Sequence, residues 1–498
     1  MSADPKEGSS LSMSPTLTTH PYDDDHLREE CGVFGIYGPE DSAALVALGL
    51  HALQHRGQEA AGIVAFDGRQ FNAHRALGQV ADHFSSETVI GRLSGHAAIG
   101  HVRYSTAGET VLRNVQPLFA DLEFGGFAIA HNGNLTNAYT LRRELVKRGS
   151  LFQSTSDTEV ITHLMAIGSG TVVDRLVQAL RQVEGAYSLV ALAHDRVIGV
   201  RDPLGVRPLV IGKLGTSHIL ASETCALDII GAEFVRDVEP GEIVVIDSNG
   251  IESLRPFPQH KKRFCIFEFI YFARPDSVVD GTSVYDARKR IGAELAREAP
   301  ADADVVIPVP DSGVPAALGY AEEAKIPFEL GIIRNHYVGR TFIEPSDHIR
   351  HLGVRLKHNA NRAMIQGRNV VLVDDSIVRG TTSRKIVEMI RHAGAKQVHM
   401  RISSPPTAHS CFYGIDTPER EALLAYKNDA DAMAKLIGAD SLAFISIDGL
   451  YRAMGMPRRD PALPLYCDAC FTGDYPIPLT DRSDGRPPAQ LSLLAESA

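Results

Sequence analysis

The amino-acid sequence predicts two domains of different fold class, an α+β domain followed by an α/β domain. Up to about residue 250, short strand-like segments recur with helices between them, a pattern typical of two antiparallel sheets sandwiched between helices. After a proline-rich, basic linker at 255–263, helices and strands alternate and indicate a parallel sheet. A chain of 498 residues is long enough for both. The predicted divisions are a disordered leader (1–30), the two domains (31–260 and 261–480) and a flexible tail (481–498).

Composition and charge exclude several classes of protein. The hydrophobic fraction of 44% and the charged fraction of 22% are ordinary for a globular protein. The formal net charge of −11 argues against a nucleic-acid partner, because phosphate backbones attract basic surfaces. No apolar run is long enough to span a membrane, and the first thirty residues lack the features of a secretory signal. Six cysteines in such a chain predict a cytoplasmic protein whose thiols serve metals or catalysis.

The elements of the first domain follow from hydrophobic periodicity. The stretch 31–37 alternates apolar and small residues like a strand, and 43–53 has apolar residues at helical spacing. Further strands are predicted at 60–66, 97–102, 126–130, 188–192, 197–200 and 243–246, and further helices at 138–148 and 157–167.

The second domain shows longer helices and β-branched runs. The long polar, basic segment 334–357 has little pattern and is predicted to be a lid or a disordered loop. The predicted helices are 284–297, 315–324 and 382–392, and the predicted strands are 304–309, 370–373 and 397–402.

The stretch 370–383, which reads VVLVDDSIVRGTTS, carries the clearest chemistry of the second domain. Its β-branched run predicts a buried parallel strand, at whose carboxyl end Asp374 and Asp375 would lie. The turn that follows, Gly380-Thr381-Thr382-Ser383, offers backbone N–H groups, hydroxyls and a helix N-terminus to a phosphate. Acids for hydroxyls or a metal, next to a phosphate cradle, predict a site for a phosphorylated sugar. The alternative is a strand edge with a solvated turn.

Cys31 is the candidate nucleophile of the first domain. It follows an acidic leader and opens a strand. No Cys–His pair is indicated by the sequence, but cleavage between Glu30 and Cys31 would free an α-amine. Such an amine titrates near ~8 and can take the thiol proton near neutral pH. The alternative reading of a lone cysteine at a strand start is a small buried hydrophobe.

Four further motifs give Cys31 a context. The series CGVFG at 31–35, HRGQE at 55–59, RYST at 103–106, HNGN at 131–134 and SDTE at 156–159 resembles the N-terminal-nucleophile glutamine amidotransferases over the whole first domain. The resemblance implies that Cys31 forms a glutamyl thioester and that Asn132 and Gly133 make the oxyanion hole. It also implies that glutamine is bound by Arg103 at its α-carboxylate, by Asp157 at its α-ammonium, and by Thr106.

The second domain resembles the type I phosphoribosyltransferases, through 370–383 and the segment VVIPVPDSG at 305–313. The resemblance implies that Asp374 and Asp375 hold ribose hydroxyls and, with Ser312, one Mg²⁺ ion per subunit. The basic loop 334–343 fits a lid that closes over departing pyrophosphate and excludes water. The implied contacts to phosphoribosylpyrophosphate are Asp311, Ser312 and Gly313 at the pyrophosphate, Arg379, Gly380, Thr381, Thr382 and Ser383 near the 5-phosphate, and Tyr337 and Arg340 in the lid.

Joined in this order, the domains resemble the glutamine phosphoribosylpyrophosphate amidotransferases from Cys31 to about Pro478. That family implies hydrolysis of glutamine at Cys31 and passage of ammonia to the second site. Ammonia then displaces pyrophosphate to give 5-phosphoribosylamine, the first committed step of purine synthesis. The family also implies a tetramer or dimer and inhibition by purine nucleotides. The alternatives are a non-catalytic phosphoribosylpyrophosphate sensor, an amidotransferase with another acceptor, or an iron–sulfur electron carrier.

The remaining cysteines include a pair at Cys467 and Cys470, whose spacing lets two thiolates reach one metal centre. By itself this spacing suits zinc, redox chemistry or no function. Together with Cys265 and Cys411, the pair matches the positions that ligate one [4Fe–4S] cluster per subunit in one branch of the family, which also carries a propeptide. The cluster would then be structural or oxygen-sensing, and a Cys₄ zinc site stays open as the alternative. Cys225 has no counterpart and is expected in the core.

Overall fold

The computed structural model of the chain describes residues 28–29, 31–104, 111–335 and 358–482. The two fold classes expected from the sequence are both present: antiparallel sheets in the N-terminal part and a parallel sheet in the C-terminal part. Among the described helices, none has the length and apolarity needed to cross a membrane.

The first layer of the N-terminal domain is a seven-stranded antiparallel sheet. A short strand, β1 (Arg28–Glu29), precedes this sheet in the sequence and is not one of the seven strands of the sheet. Its strands are β2 (Cys31–Tyr37), β3 (Ala60–Phe66), β4 (Phe71–Leu77), β5 (Ala97–Arg103), β10 (Val210–Leu214), β11 (Ser217–Ala221) and β12 (Glu233–Asp237). They run across the sheet in the order β12-β10-β11-β2-β5-β3-β4, so the strand that opens at Cys31 is central.

The second layer is a six-stranded antiparallel sheet. Its strands are β6 (Leu118–Leu122), β7 (Gly125–Leu135), β8 (Gly185–Ala193), β9 (Arg196–Arg201), β13 (Ile243–Asp247) and β14 (Gly250–Leu254). They lie in the order β14-β13-β9-β8-β7-β6. The two sheets face each other through one buried core, to which Val33, Ile99, Ala128 and Val190 belong. Alternate residues of the central strands point into this core, and the residues between them point to the outer faces of the sandwich.

Helices cover both outer faces of the sandwich. On the first sheet lie α1 (Ser42–Ala52), α2 (Val80–Phe84), α3 (Glu87–Arg92) and α7 (Cys225–Asp228). On the second lie α4 (Ala138–Lys147), α5 (Thr158–Ile167) and α6 (Val172–Leu180). Cys225 is 3% exposed and belongs to the core beneath α1, as expected for a structural cysteine.

The C-terminal domain is built on a four-stranded parallel sheet in the order β18-β21-β22-β24, and short two-stranded pairs surround it. All its described strands are β15 (Phe264–Cys265), β16 (Val278–Val279), β17 (Thr282–Ser283), β18 (Val305–Pro308), β19 (Ile332–Arg334), β20 (His358–Ala360), β21 (Asn369–Asp374), β22 (Gln397–Ile402), β23 (Ile415–Asp416), β24 (Ser441–Phe444) and β25 (Tyr466–Cys467). Its described helices are α8 (Val284–Glu298), α9 (Val314–Ala324), α10 (Arg362–Ile365), α11 (Thr381–His392), α12 (Leu424–Lys427), α13 (Ala430–Ile437), α14 (Ile447–Ala453) and α15 (Ala469–Thr472).

A π-helical turn, Glu268–Phe272, joins the two domains. The Glu268 carboxylate is fully buried between two arginines of the N-terminal domain: Arg56 Nη2 lies 2.8 Å and Arg207 Nη2 3.3 Å from its oxygens. Arg56 also donates to the buried carboxylate of Glu223. The domain junction is therefore a buried ionic cluster whose charges satisfy one another.

Candidate active sites

The first site lies where β2 and β5 pair. Cys31 is the register partner of Arg103, so the predicted nucleophile and the predicted carboxylate-binding residue lie side by side. Cys31 is 7% exposed and Arg103 4%. The backbone N–H of Glu59 donates to the Arg103 carbonyl at 3.1 Å, so the turn 55–59 packs against the same strand end. Three of the five motifs found in the sequence therefore meet here.

Arg103 is held in place by a chain of hydrogen bonds. Its Nη1 donates to the Asn114 carbonyl at 2.8 Å. The side chain of Asn114 in turn donates to Thr155 Oγ1 and accepts from the Thr155 N–H, both at 2.9 Å. These bonds tie the guanidinium to the turn that carries Asp157, so the two groups predicted to hold the two ends of an amino acid are fixed relative to each other.

The carboxylate of Asp157 is 11% exposed and is surrounded by donors. Oδ2 accepts from the Leu135 N–H at 2.9 Å and lies 3.7 Å from Nδ1 of His131. Burial alone would raise the pKa of Asp157, but the charge and hydrogen bond of His131, the Leu135 N–H and Thr158 together lower the pKa below its ordinary value. Asp157 is therefore an anion at neutral pH, as an ammonium-binding residue must be.

Strand β7 presents the two predicted oxyanion donors. Asn132 is fully buried, and within the described chain neither its amide nitrogen nor its carbonyl oxygen has a hydrogen-bond partner. Such a buried, unsatisfied amide is costly unless it serves a ligand. Gly133 has φ +140°, and a Cβ there would lie 2.0 Å from the Ala186 carbonyl. Only glycine fits this backbone, because other residues rarely adopt this conformation and their Cβ would meet the Ala186 carbonyl.

Several supporting residues of this site were not singled out by the sequence. His101 is fully buried on β5, and its Nε2 donates to the His131 carbonyl at 3.1 Å, which joins the two sheets beside the site. Burial, and then the charge of Arg103, lowers the pKa of His101 to about 3, so this imidazole is neutral. Gln116 accepts from the His131 N–H at 2.8 Å and donates to Thr158 at 3.2 Å. Individually these are ordinary polar residues, and only long-range strand pairing brings them together.

The second site lies at the carboxyl end of the parallel sheet. Asp374 ends β21, and Asp375 follows it; each carboxylic side chain is 1% exposed. The Asp375 N–H donates to Asp374 Oδ1 at 2.9 Å, and Ser376 Oγ donates to Asp375 Oδ1. Gly380, with φ +81°, then precedes α11, which begins at Thr381. The order of strand, buried acid pair, turn and helix is the one that the sequence predicted.

The turn 311–313 lies against the acid-bearing strand. Val309 N–H donates to the Val373 carbonyl at 2.9 Å, and Gly313 N–H donates to the Val309 carbonyl at 3.0 Å. A Cβ at Gly313 would lie 2.6 Å from the Val373 carbonyl oxygen, so a larger residue would push the two segments apart. Asp311 forms an ion pair with Arg334, at the start of the predicted lid. The predicted pyrophosphate turn and the predicted acid pair thus belong to one site.

Four cysteines of the C-terminal domain lie near one another. Cys265 and Cys467 are register partners in the parallel pair β15–β25. The Cys470 carbonyl accepts from the Ala408 and His409 N–H groups at 3.1 Å, which brings the segment before Cys411 alongside. Burial raises the pKa of Cys265 to about 12, and burial together with the neighbouring cysteines raises the pKa of Cys467 and Cys470 well above the ordinary value. Within the described ranges, no three His, Cys, Asp or Glu side chains converge closely enough to hold a single ion.

The segment after Cys411 connects this cluster with the first site. Asn134 Nδ2 donates to the Phe412 carbonyl at 3.0 Å, and a Cβ at Gly414 would lie 2.9 Å from the Gly133 Cα. Strand β23 then pairs with β1, the two residues that the structure describes just before Cys31. The C-terminal domain therefore contacts the predicted oxyanion turn directly.

Three predicted site residues, Thr106, Tyr337 and Arg340, lie outside the described residues, and so does most of the predicted lid. The predicted leader is described at 28–29 alone, and the predicted tail at 481–482.

Comparison with known proteins agrees with this geometry. A family profile described as a glutamine amidotransferase domain matches residues 101–228, and one described as a phosphoribosyl transferase domain matches residues 276–403. The fold and the two sites thus define a glutamine amidotransferase joined to a phosphoribosyltransferase.

Full-length relatives make the assignment more specific. The chain is 59% identical over 487 residues to the amidophosphoribosyltransferase of Rhizobium etli, covering 96% of this chain and 98% of that protein. It is 50% identical over 452 residues to the amidophosphoribosyltransferase of Bacillus subtilis, covering 90% and 94%. A solved structure of glutamine phosphoribosylpyrophosphate amidotransferase from B. subtilis, complexed with ADP and GMP, superposes with a TM-score of 0.85 at 48% identity and covers 90% of this chain and 98% of that one.

The chain belongs to the amidophosphoribosyltransferase family. It is an enzyme of glutamine-dependent phosphoribosylpyrophosphate amidation in purine biosynthesis, and the function expected from the sequence is confirmed. The sensor, the electron carrier and the amidotransferase with another acceptor are thereby excluded.

Proposed function

We propose that Cys31 attacks the carboxamide carbon of glutamine, with its own free α-amine as base. The amine takes the thiol proton and passes it to the departing nitrogen, so that ammonia leaves and a glutamyl thioester remains. Water then hydrolyses the thioester to glutamate. Arg103 and Asp157 hold the α-carboxylate and the α-ammonium, and their fixed separation across the Asn114–Thr155 hydrogen bonds supports this assignment.

The observation that carries this proposal is the unsatisfied amide of Asn132. Its Nδ2 group is buried and lacks a partner among the described residues, and the next residue is a glycine with a positive φ. Strand β7 packs against β2, which begins at Cys31, and against β5. Both donors therefore lie on a strand that contacts the strand of the nucleophile. Donors placed in this way stabilise the oxyanion that forms when the thiolate adds to the carboxamide.

Replacing Asn132 by alanine tests the oxyanion assignment. We expect the kcat for glutamine hydrolysis to fall about 10²–10³-fold, because one donor to the tetrahedral oxyanion is lost. We expect alkylation of the Cys31 thiol by iodoacetamide to continue at a normal rate, since this reaction forms no oxyanion. Asn249→Ala, in the turn between β13 and β14, is the control and should change neither rate. An Asn132→Ala enzyme with normal glutaminase activity would contradict the assignment.

At the second site we propose that Asp374 and Asp375 hold the ribose hydroxyls of phosphoribosylpyrophosphate. The turns 311–313 and 379–383 receive the pyrophosphate and the 5-phosphate. Two buried carboxylates at one strand end suit Mg²⁺, which takes few protein carboxylates and completes its shell with substrate oxygens and water. Asp374, Asp375 and Ser312 would hold this ion, which supplies charge neutralisation for the pyrophosphate. Tyr337 and Arg340 are proposed to close over it from the lid.

The residues of the second site act by positioning the substrates. Ammonia adds to C1 of the ribose while the C1–oxygen bond to pyrophosphate breaks, so the chain must present C1 and exclude water. Arg288 on α8 is 3% exposed and donates to the carbonyls of Phe269 and Ala273 at 2.9 and 2.7 Å. Its positive charge interacts with the carboxylate of Asp375. This nearby guanidinium supports a role of the acid pair in holding the substrate.

We propose that Cys265, Cys411, Cys467 and Cys470 hold a [4Fe–4S] cluster. Cys265, Cys467 and Cys470 are buried and Cys411 is partly buried. Burial, and then the neighbouring cysteines, raise the pKa of Cys467 and Cys470. Four neighbouring thiolates are stable in a buried core when a metal centre supplies the opposing positive charge. Without a metal centre, the four neutral thiols would be weak polar groups in that core. The cluster is proposed to be structural or oxygen-sensing, because Cys411 belongs to the segment whose Gly414 lies against Gly133.

Metal analysis tests the cluster. Protein purified without oxygen should be brown and contain about four iron and four sulfide per chain. Cys467→Ser should lose most of both, whereas Cys225→Ser, a buried cysteine of the other domain, should keep the wild-type content. Colourless protein with one zinc per chain would establish the alternative Cys₄ zinc site.

Four further properties complete the proposal. Residues 1–30 form a propeptide whose removal frees the Cys31 amine. Purine nucleotides inhibit the enzyme, which is supported by the ADP and GMP in the related B. subtilis structure.

The enzyme is a homo-oligomer, a tetramer or dimer, which is supported by the exposed Phe234 and Val235 on the edge strand β12. It works in the cytoplasm, where thiols and an iron–sulfur centre persist.

A further inference from the structure

The N-terminus of helix α4 in the glutaminase domain is capped by a residue that lies 342 positions after Tyr139 in the sequence. Asn137 occupies the cap position but makes no capping hydrogen bond with its side chain. Its amide is engaged elsewhere: Nδ2 donates to the Gln182 carbonyl and Oδ1 accepts from the Glu184 N–H, both at 2.9 Å. The first N–H groups of α4 therefore need another acceptor.

That acceptor is the carboxylate of Asp481. Its Oδ2 accepts from the Tyr139 N–H at 2.7 Å, and its Oδ1 accepts from the Thr140 N–H at 3.0 Å and from Thr140 Oγ1 at 2.7 Å. The Asp481 N–H donates to the Thr136 carbonyl at 3.0 Å. The preceding residue, Thr480, donates from its hydroxyl to Glu184. An anion with both oxygens engaged at a helix N-terminus is a strong cap.

The segment that Asp481 fixes also shapes the glutamine site. Leu135, which lies directly before Thr136, donates its N–H to the carboxylate of Asp157. Asn132 and Gly133 lie a few residues earlier on the same strand, β7. A shift of the turn 135–139 would therefore move the donor to Asp157 and the end of the strand that carries the oxyanion donors. Displacements of about 1 Å at such groups reduce enzymatic rates substantially.

We propose that Asp481 is a positioning residue for glutamine binding and hydrolysis. It acts through the turn 135–139, touches no substrate itself, and lies well beyond residue 403, where the matched phosphoribosyl transferase domain ends. The inference rests on the proposed roles of Asn132 and Asp157. It adds to these roles the requirement that Asp481 contact the N-terminus of α4 before glutamine can bind correctly.

The test compares two nitrogen sources on the full-length, metal-loaded enzyme. Ammonia supplied directly needs the phosphoribosyl site alone, whereas glutamine needs both sites. For Asp481→Ala we expect the KM for glutamine to rise about tenfold, because Asp157 loses its fixed donor geometry. We expect the KM and kcat with ammonium chloride to stay at wild-type values. Asp481→Asn keeps one of the two acceptor oxygens and should restore part of the glutamine affinity.

A matched variant separates positioning from stability. Thr171 caps α6 by accepting from the Asp174 N–H at 3.2 Å, at the end of the α5–α6 pair that lies away from Asp157. Thr171→Ala should lower the thermal unfolding midpoint about as much as Asp481→Ala, with no change in the KM for glutamine. Equal glutamine KM values for wild type and Asp481→Ala would overturn the inference. Loss of ammonia-dependent activity in Asp481→Ala would overturn it as well, because the cap would then support the whole fold.

The proposed function has a separate point of failure. If Asn132→Ala leaves glutamine hydrolysis unchanged, the assignment of the oxyanion hole fails, whatever Asp481 does. If Asn132→Ala behaves as expected and Asp481→Ala keeps the wild-type KM for glutamine, the positioning inference alone fails.

Discussion

Replacing Cys31 by alanine is expected to reduce glutamine-dependent formation of 5-phosphoribosylamine by at least about 10⁴-fold. The thiol provides the electron pair for thioester formation, and alanine offers no substitute. Ammonia-dependent formation of the same product should keep its wild-type rate, because its nucleophile does not pass through Cys31. The measurement is pyrophosphate release with glutamine and with ammonium chloride as alternative nitrogen sources.

The matched control for Cys31→Ala is Cys225→Ala. Cys225 lies in the core of the same domain, and burial, followed by the charge of Glu223, raises the pKa of its thiol, so it is unreactive near neutral pH. Both activities should survive this change. Substantial glutamine-dependent activity in Cys31→Ala would contradict the role of the thiol.

Intact mass addresses the role of the α-amine. Active wild-type enzyme should have a mass that corresponds to a chain beginning at Cys31, since an amide nitrogen within residues 30–31 could not accept the thiol proton. Fully active protein that retains residues 1–30 would contradict the free-amine mechanism.

Glu268→Gln is expected to give the largest loss of stability among single changes at the domain junction. Glu268 is fully buried against Arg56 and Arg207, and removal of its charge leaves buried guanidinium charge without its counterion. Breaking such a pair from one side costs about 3–5 kcal/mol. Because the chain has more than one domain, the appropriate measurement is the thermal midpoint rather than a single free energy, and a fall of roughly 10 °C is expected.

Glu388→Gln is the control for that variant. Glu388 pairs with Arg384 on the exposed face of α11, with side chains 51% and 65% exposed, and such pairs contribute at most about 0.5 kcal/mol. Its thermal midpoint should differ from that of wild type by no more than about 2 °C. A Glu268→Gln enzyme as stable as Glu388→Gln would show that the buried cluster contributes little to holding the domains together.

The elements predicted from the sequence were those with strong local signals. β-Branched runs located β21 and β18, and helical spacing located α1, α8 and α11 within one or two residues. Strand β12 and helix α6 were missed. The described part of β12 is largely exposed, so it lacks the alternation of a half-buried strand. Helix α6 begins after a Ser-Gly-Thr turn that resembles a loop in isolation.

The site was predicted unevenly for a similar reason. Contiguous motifs revealed the strand ends that carry Cys31, Arg103 and the acid pair, because their residues are neighbours in sequence. Asn114 and His101 were missed as site residues, since their contacts depend on pairing between distant strands. Asp481 falls in a polar segment predicted as a flexible tail, and composition cannot show that a distant helix lacks its own cap.

The contacts of Asp481 and Phe412 with β7 and α4 have a consequence for synthesis. A ribosome makes the glutaminase half of the chain first, yet that half obtains the cap of α4 and the support of Asn134 from residues made later. A nascent or truncated chain would carry the thiol without the properly seated oxyanion turn. We therefore expect an incomplete chain to release less ammonia from glutamine than the complete chain does.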